Sequence, residues 1–235
     1  MAIDTELLSR GLEALGLPSS GPLAQGLARY GAEIEAWNPS HGLVGAADDE
    51  LVIKHLLDSL APLALIRQKA EAIRLSRVPS AQLAATAPRL APAPITLADL
   101  GTGAGLPGIP LALALPDFHI SLVERMGKRL DFLAAQRSLL SLDNVDILEA
   151  QVEQARGSWD LLTFRAFRPF ERKLFKKVFR LCASDGYVLA YKGRRDKAEA
   201  ELAEIEGLYR EVEIHSVKVP FLEDERCLVV LTPAR

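Results

Sequence analysis

The 235-residue sequence predicts an α/β fold, a Rossmann-like doubly wound sheet of seven strands with the last pair antiparallel, preceded by an N-terminal helical extension. Three observations carry this. From Ile95 onward, short β-type runs alternate with helical patterns, which is the signature of βα units on a parallel sheet. A glycine-rich loop, Gly101-Thr-Gly-Ala-Gly105, follows the first of those runs directly. Two apolar runs joined by a short loop close the chain, as an antiparallel hairpin at a sheet edge would. The predicted division is a helical region over 1–78, an Ala/Pro-rich linker or insertion over 79–94, and a ligand-binding α/β domain over 95–235.

Asp4 to Leu15 is a short amphipathic helix, and Pro18 to Pro22 is a turn. Leu23, Leu27, Tyr30, Ile34 and Trp37 recur at intervals of four and three, so one helical face is apolar. Asn38-Pro39-Ser40-His41-Gly42 breaks the chain. Asp48-Asp49-Glu50 places acids at the positive end of the next helix, on which Lys54, His55 and Asp58 share one turn. A basic helix runs through Arg77, and Pro79, Pro88, Pro92 and Pro94 make the following stretch a linker.

Within the α/β part, strands are expected at Ile95–Leu100, His119–Glu124, Val145–Glu149, Asp160–Phe164, Gly186–Tyr191, Glu211–Val219 and Cys227–Thr232. Helices are expected at Leu106–Leu115, Lys128–Leu140, Phe170–Cys182 and Asp196–Glu206. Seven strands with a terminal antiparallel pair is the arrangement of Rossmann-like class I methyltransferases, with ligands at the strand C-termini.

Composition excludes several classes. No apolar run reaches the ~18 residues that span a membrane, and the N-terminus lacks the basic start of a signal peptide. Cys182 and Cys227 are too few and too far apart for a disulfide framework or a zinc site, so a reducing cytoplasm is expected. The four histidines have no metal-ligand spacing, and neither a Gly-x-Ser-x-Gly nor a Walker lysine motif occurs. The net charge of −3 argues against a uniformly cationic surface. Bases nevertheless cluster locally: seven Lys/Arg between Arg165 and Arg180 against Glu171 alone, and four between Arg67 and Arg77. Such patches suit a phosphate backbone, and a solvated helix face is an equal alternative.

The glycine spacing Gly103-x-Gly105-x-x-Gly108 also fits a dinucleotide fingerprint. Asp99, just before the loop, separates the possibilities. An acid there would repel a pyrophosphate and would suit a ligand bearing an ammonium or sulfonium, which points to S-adenosylmethionine rather than NAD. Glu124 ends the second strand, where an acid reaches ribose hydroxyls. Val152 and Glu153 follow the third strand, in position to hold an adenine. Arg165 and Arg168 follow the fourth strand and Lys192 the fifth, at the edge where substrates bind. Phe164 and Phe167 either stack or pack. No catalytic acid–base dyad stands out.

Three stretches together are more specific than any fingerprint: Lys54-His-Leu-Leu-Asp-Ser-Leu60, Asp99-Leu-Gly-Thr-Gly-Ala-Gly-Leu-Pro-Gly-Ile-Pro110 and Arg165-Ala-Phe167. With Gly127-Lys-Arg129, Lys192-Gly193 and Glu225-Arg-Cys-Leu-Val-Val230, they make the chain resemble bacterial small-subunit (16S) ribosomal RNA guanine-N7 methyltransferases of the glucose-inhibited division protein B type. The resemblance runs from about Trp37 to the C-terminus. It implies methyl transfer from S-adenosylmethionine to N7 of a guanine in small-subunit rRNA by direct displacement, without a general base. It implies cofactor contacts at Gly101, Leu106, Val152, Glu153 and Arg165, to which the reading of the loop and strand ends adds Asp99, Thr102, Gly103, Gly105 and Glu124. It implies a role near the cofactor or RNA for Lys192 and an RNA or substrate side at His55 and Asp58; with no general base required, Arg165 and Lys192 are expected to position the reactants, and Arg168, at the same sheet edge, joins the RNA side. The expected partner is that rRNA, free or in an assembling particle, with no membrane, no metal and a monomeric state. The chain departs from the family at Glu124, where Asp is common, at Phe164, where Ser is usual, and in a longer Arg67–Pro94 stretch.

Overall fold

The computed structural model describes residues 3–78, 93–166 and 168–234. The linker expected over 79–94 falls almost entirely outside them, as does Phe167. Helices α1 (Thr5–Ala14) and α2 (Pro22–His41) lead to a continuous helical run. It consists of α3 (Asp48–Leu51), a π-helical stretch (Val52–Leu57) and α4 (Asp58–Leu60), and α5 (Leu63–Ser76) follows. Then come β1 (Ile95–Leu100), α6 (Gly108–Ala114), β2 (Phe118–Glu124), α7 (Gly127–Leu139), β3 (Val145–Glu149) and β4 (Trp159–Arg165). The chain finishes with α8 (Arg172–Leu181), β5 (Cys182–Lys192), α9 (Arg195–Glu204), β6 (Tyr209–Ser216) and β7 (Cys227–Pro233).

The seven strands form one sheet in the order β3-β2-β1-β4-β5-β7-β6. β1 pairs in parallel with both β2 and β4, so the strand order reverses at their C-terminal ends. That reversal opens the crevice where ligands bind in such sheets. β7 runs antiparallel to β6, as the sequence predicts, and also to β5, beside which it is inserted.

Strand periodicity divides the core into two layers. Ile95 and Leu97 of β1, Leu161 of β4, Leu189 and Tyr191 of β5 and Leu228 of β7 face the layer that holds α1–α7. Their alternates Ala98, Leu100, Leu162, Phe164, Ala190 and Val229 face α8 and α9. Both faces are therefore apolar, which is why these strands read as continuous hydrophobic runs. The N-terminal helices do not build a core of their own. Leu8, Leu12, Leu27, Ile34, Leu56 and Ile66 belong to the same buried cluster as Leu97, Ile120 and Leu189.

Near the N-terminal ends of β4 and β5, Arg77 ends the basic helix by bridging Asp160 (2.5 Å) and Asp185 (2.7 Å). Asp160 also accepts from the Thr96 backbone N–H at 2.8 Å. Arg77 and Arg74, which pairs with Asp117 at 2.7 Å, are thus used within the fold. The 67–77 bases make a structural seam here rather than an open cationic patch.

Candidate active site

The glycine loop is suspended from β2 and propped by α2. The N–H groups of Gly101 and Thr102 both donate to the Val123 carbonyl, at 2.9 and 3.1 Å. Gly103 N–H donates to Glu124 Oε2 at 2.9 Å. From the other side, the buried Tyr30 hydroxyl donates to the Ala104 carbonyl at 2.5 Å. Gly101 and Gly103 have φ of +67° and +62°, the left-handed region that glycine reaches without strain.

Asp99 lies beneath this loop, fully buried. Its Oδ2 accepts from the Thr102 hydroxyl (2.5 Å) and the Gly108 N–H (2.8 Å). Its Oδ1 is buried with no hydrogen-bond partner. Burial pushes the carboxyl up to about 6 against the pull of these two donors. The Asp99–Gly108 bond explains why α6 starts at Gly108 and not at Leu106. Pro107, inside the helix expected over Leu106–Leu115, takes the N-cap position instead. A Cβ on Gly108 would overlap the Leu122 side chain and lie 2.9 Å from Asp99 Oδ2. Gly108→Ala is therefore expected to lower stability by about 1–3 kcal/mol, read as a lower urea midpoint; an unchanged midpoint would show that the loop is not packed this tightly.

Two cavities meet at the C-terminal end of β4. The smaller, about 450 Å³, is lined by Gly101, Glu124, Met126, Val152, Glu153 and Arg168 among others. The larger, about 810 Å³, is lined by Lys54, His55, Asp58, Arg165, Lys192 and Arg226 among others. Ala166 and Arg168 line both. Ala166 has φ +48°, so the backbone kinks where the cavities join.

The smaller cavity fits a nucleoside. Its floor at Gly101 has no side chain, and Ala150, Met126 and Val152 supply apolar surface. Glu124 is 4% exposed and accepts three backbone N–H bonds, from Gly103, Arg125 and Met126. A carboxylate has about four acceptor sites, so one remains for a ligand hydroxyl. Glu153 pairs with Arg168 across the mouth. Asp99, Thr102, Gly103, Gly105 and Leu106 do not line this cavity; they shape the loop whose first glycine, Gly101, does. Asp99 Oδ1 is an acceptor without a hydrogen-bond partner just under the loop, which suits a cationic ligand and opposes an anionic one, although the Arg165 charge also acts on this carboxylate.

The sequence places Arg165 among the cofactor contacts. It lines the larger cavity only. Its guanidinium donates to the Lys54 carbonyl (3.0 Å), Asp58 Oδ2 (2.9 Å) and His55 Nδ1 (2.9 Å). Strand alternation is the reason: residue 165 shares its face of β4 with Leu161, which packs toward the N-terminal helices. The π-helical stretch carries Lys54 and His55 to meet it. Burial first, and then the Arg165 guanidinium, pull the His55 imidazole down to about 4, so it is neutral at pH 7.

Lys192 is also held. Its ammonium contacts Glu201 at 2.5 Å and lies 4.0 Å above the Phe170 ring. Phe164 packs edge-on to Phe170 and Phe175 in the α8 layer, and so serves the core. Sequence reasoning did not single out Arg226, whose Nε stands 3.4 Å from Asp58 Oδ1, or Tyr191, whose hydroxyl donates to the Ser59 carbonyl at 2.8 Å. Arg226 lies in the Glu225–Val230 motif, and Tyr191 alternates with Ala190 toward the N-terminal layer. Both signals were present. No cluster of metal-ligating side chains occurs among the described residues.

A sheet reversed at its last strand, a glycine loop hung from an acid-ended second strand, and a nucleoside-sized cavity opening into a second cavity define a class. The protein is a Rossmann-like, S-adenosylmethionine-dependent methyltransferase. Residues 80–229 match the family described as rRNA small subunit methyltransferase G, and the chain belongs to that family. It is 34% identical to ribosomal RNA small subunit methyltransferase G of Treponema denticola, over 96% of this chain and 93% of that one. It is 33% identical to the Klebsiella pneumoniae protein of the same name, over 96% and 97% of the two chains. For the Methylobacillus flagellatus protein of that name the identity is again 33%, over 97% of each chain.

Proposed function

We propose that the protein transfers the methyl group of S-adenosylmethionine to N7 of one guanine in 16S rRNA, in the bacterial cytoplasm, as a monomer. The observation that carries this is the pair of cavities joined at Ala166 and Arg168, one nucleoside-sized and one large enough for a base. When bound, S-adenosylmethionine supplies an electrophilic methyl carbon on sulfonium sulfur, so that the N7 lone pair displaces a neutral thioether. Guanine N7 carries no proton, and no general base is required.

The chain's task is then placement. Gly101, Glu124, Val152 and Glu153 hold the donor in the smaller cavity. Arg165, His55, Asp58 and Arg226 form the wall against which the base lies. Lys192 and Glu201 close the far side, and Arg168 stands at the junction. Arg165 positions the wall and does not touch the donor. A target guanine must be unpaired or splayed from its helix to enter such a cavity.

Helix α8 supports an RNA substrate. Lys173, Lys176 and Arg180 are exposed and Lys177 is half-buried, and none has an acidic partner among the described residues. The helix begins three residues after Pro169, which lines the larger cavity. We assign this face to the phosphates flanking the target. Changing Lys173, Lys176 and Arg180 to Gln is expected to weaken RNA binding. The slope of log affinity against log salt should fall by about 0.7–0.9 for each phosphate that is no longer neutralised. An unchanged slope would remove α8 from the interface.

The function is tested by incubating the protein with methyl-labelled S-adenosylmethionine and small-subunit rRNA, naked or assembled, and digesting the product to nucleosides. Label in 7-methylguanosine is expected. Label in another nucleoside, or transfer to protein only, would overturn the assignment.

A further inference from the structure

We propose that His55 selects guanine by donating a hydrogen bond to its O6, and that Arg165 enforces the tautomer that does so. The inference rests on the N7-methylation function above. Arg165 is a donor that has no choice. A guanidinium has only N–H groups to offer, so the imidazole nitrogen 2.9 Å from Arg165 Nη2 must accept. The ring proton then resides on the other nitrogen. Rotating the ring by half a turn does not change this, because whichever nitrogen meets Arg165 is the acceptor.

Arg165 cannot easily turn away. Its other amino group is held by the Lys54 carbonyl and Asp58, and Asp58 is in turn flanked by Arg226. The imidazole is followed one turn later by Ser59, whose hydroxyl donates to the His55 carbonyl at 2.6 Å. His55 lines the larger cavity, and its ring makes no hydrogen bond among the described residues other than the one to Arg165, so the ring N–H is left for a ligand.

The edge of guanine that carries N7 offers two adjacent acceptors, N7 and O6. With N7 committed to the methyl carbon, O6 is the group a neighbouring donor can bind. Adenine has an amino group in that place, and a fixed N–H would face it donor to donor. A neutral donor is also the right one for this reaction. N7 methylation makes the guanine imidazole ring cationic, and an imidazolium next to it would raise the barrier. Burial and Arg165, with Lys54 adding to them and Glu50 opposing, hold His55 neutral throughout the physiological range.

The test uses small-subunit rRNA ligated from synthetic segments, with guanine or 2-aminopurine at the target position. 2-Aminopurine keeps N7 and lacks O6. The wild-type protein is expected to prefer guanine in kcat/KM by roughly ten- to hundredfold beyond the intrinsic difference between the two bases, the usual effect of one missing buried hydrogen bond. His55→Phe, which fills the ring volume without a donor, and His55→Ala should both collapse that preference toward the intrinsic ratio. His55→Gln should retain most of it, since an amide accepts from Arg165 and donates with its NH2. A merely structural role for His55 would lower both rates together and leave the ratio unchanged. An unchanged ratio in His55→Phe, with guanine still methylated, would overturn the inference and leave the function standing. Failure of the wild-type protein to methylate the guanine substrate would overturn the function itself.

Discussion

Arg165→Leu is expected to be the most damaging single substitution in the site. It strips the Asp58 carboxylate, 7% exposed, of its closest cation and leaves it with Arg226 at 3.4 Å. Removing one partner of a buried pair costs about 3–5 kcal/mol; with Arg226 still present, the lower end, about 3 kcal/mol, is expected. The carbonyl of Lys54 and Nδ1 of His55 lose their donor in the same step. With the wall of the larger cavity no longer fixed, methyl transfer should fall by on the order of a hundredfold, the usual consequence of misplacing a reacting group by about 1 Å. S-Adenosylhomocysteine affinity should change little, because Arg165 does not line the smaller cavity. Urea unfolding, single-turnover methylation and calorimetry check the three statements. A large loss of cofactor affinity with full stability would place Arg165 on the cofactor instead.

Asp99 should make both stability and cofactor affinity depend on pH. Its native value of about 6 lies above the 3.8 of an unperturbed carboxyl, so the native state holds this proton more tightly than the unfolded chain. The contribution of Asp99 to stability is then complete below about pH 4 and is lost as pH rises through 6. That gap corresponds to about 3 kcal/mol. Asp185 and Glu213, held below the usual range by Arg77 and Lys69, titrate in the opposite sense, so the wild-type curve alone does not isolate Asp99. The difference between wild type and Asp99→Asn does. Asparagine keeps an acceptor for Thr102 and Gly108 and carries no charge. The stability of wild type relative to this variant should decline between pH 4.5 and pH 7.5, and a flat difference would contradict the raised, buried carboxyl. S-Adenosylhomocysteine, which carries an ammonium, should bind wild type more tightly as pH rises through 6, and this rise should be absent from Asp99→Asn.

Much of the fold was legible because the sheet is buried on both sides. Continuous apolar runs marked the strands, and the closing hairpin announced the reversed strand. Among the boundaries that moved, two did so for identifiable local reasons. β5 begins at Cys182 and not at Gly186, because α8 passes into the strand with no intervening loop. The residues Ala183-Ser-Asp185 carry no strand pattern, and Asp185 is there to meet Arg77. α6 begins late because Asp99 takes the Gly108 N–H.

The site was legible as a list of residues and less so as an arrangement. The glycine loop, Glu124, Val152 and Glu153 could be placed because strand ends converge in this topology. The apolar stripe on α2 was visible, but a stripe does not say what it packs against. The contact from Tyr30 to Ala104 spans 74 residues and is a product of tertiary packing. Asp99 pointed to a cationic ligand through its charge, yet it acts from beneath the loop rather than from the cavity wall. For Arg165, the period of two along β4 put the side chain on the same face as Leu161, but with both faces apolar only the packing shows that this face meets His55 and Asp58.

In the proposed reaction, one guanine N7 in small-subunit rRNA receives its methyl group across the junction of the two cavities. The most direct measurement is chemical mapping of N7-methylguanine in 16S rRNA from cells of the source bacterium with the gene intact, deleted, or restored as wild type or Arg165→Leu. A single modified guanine that disappears on deletion, returns with wild type and stays absent or faint with Arg165→Leu is the predicted result. An unchanged pattern of N7-methylguanine after deletion would contradict it.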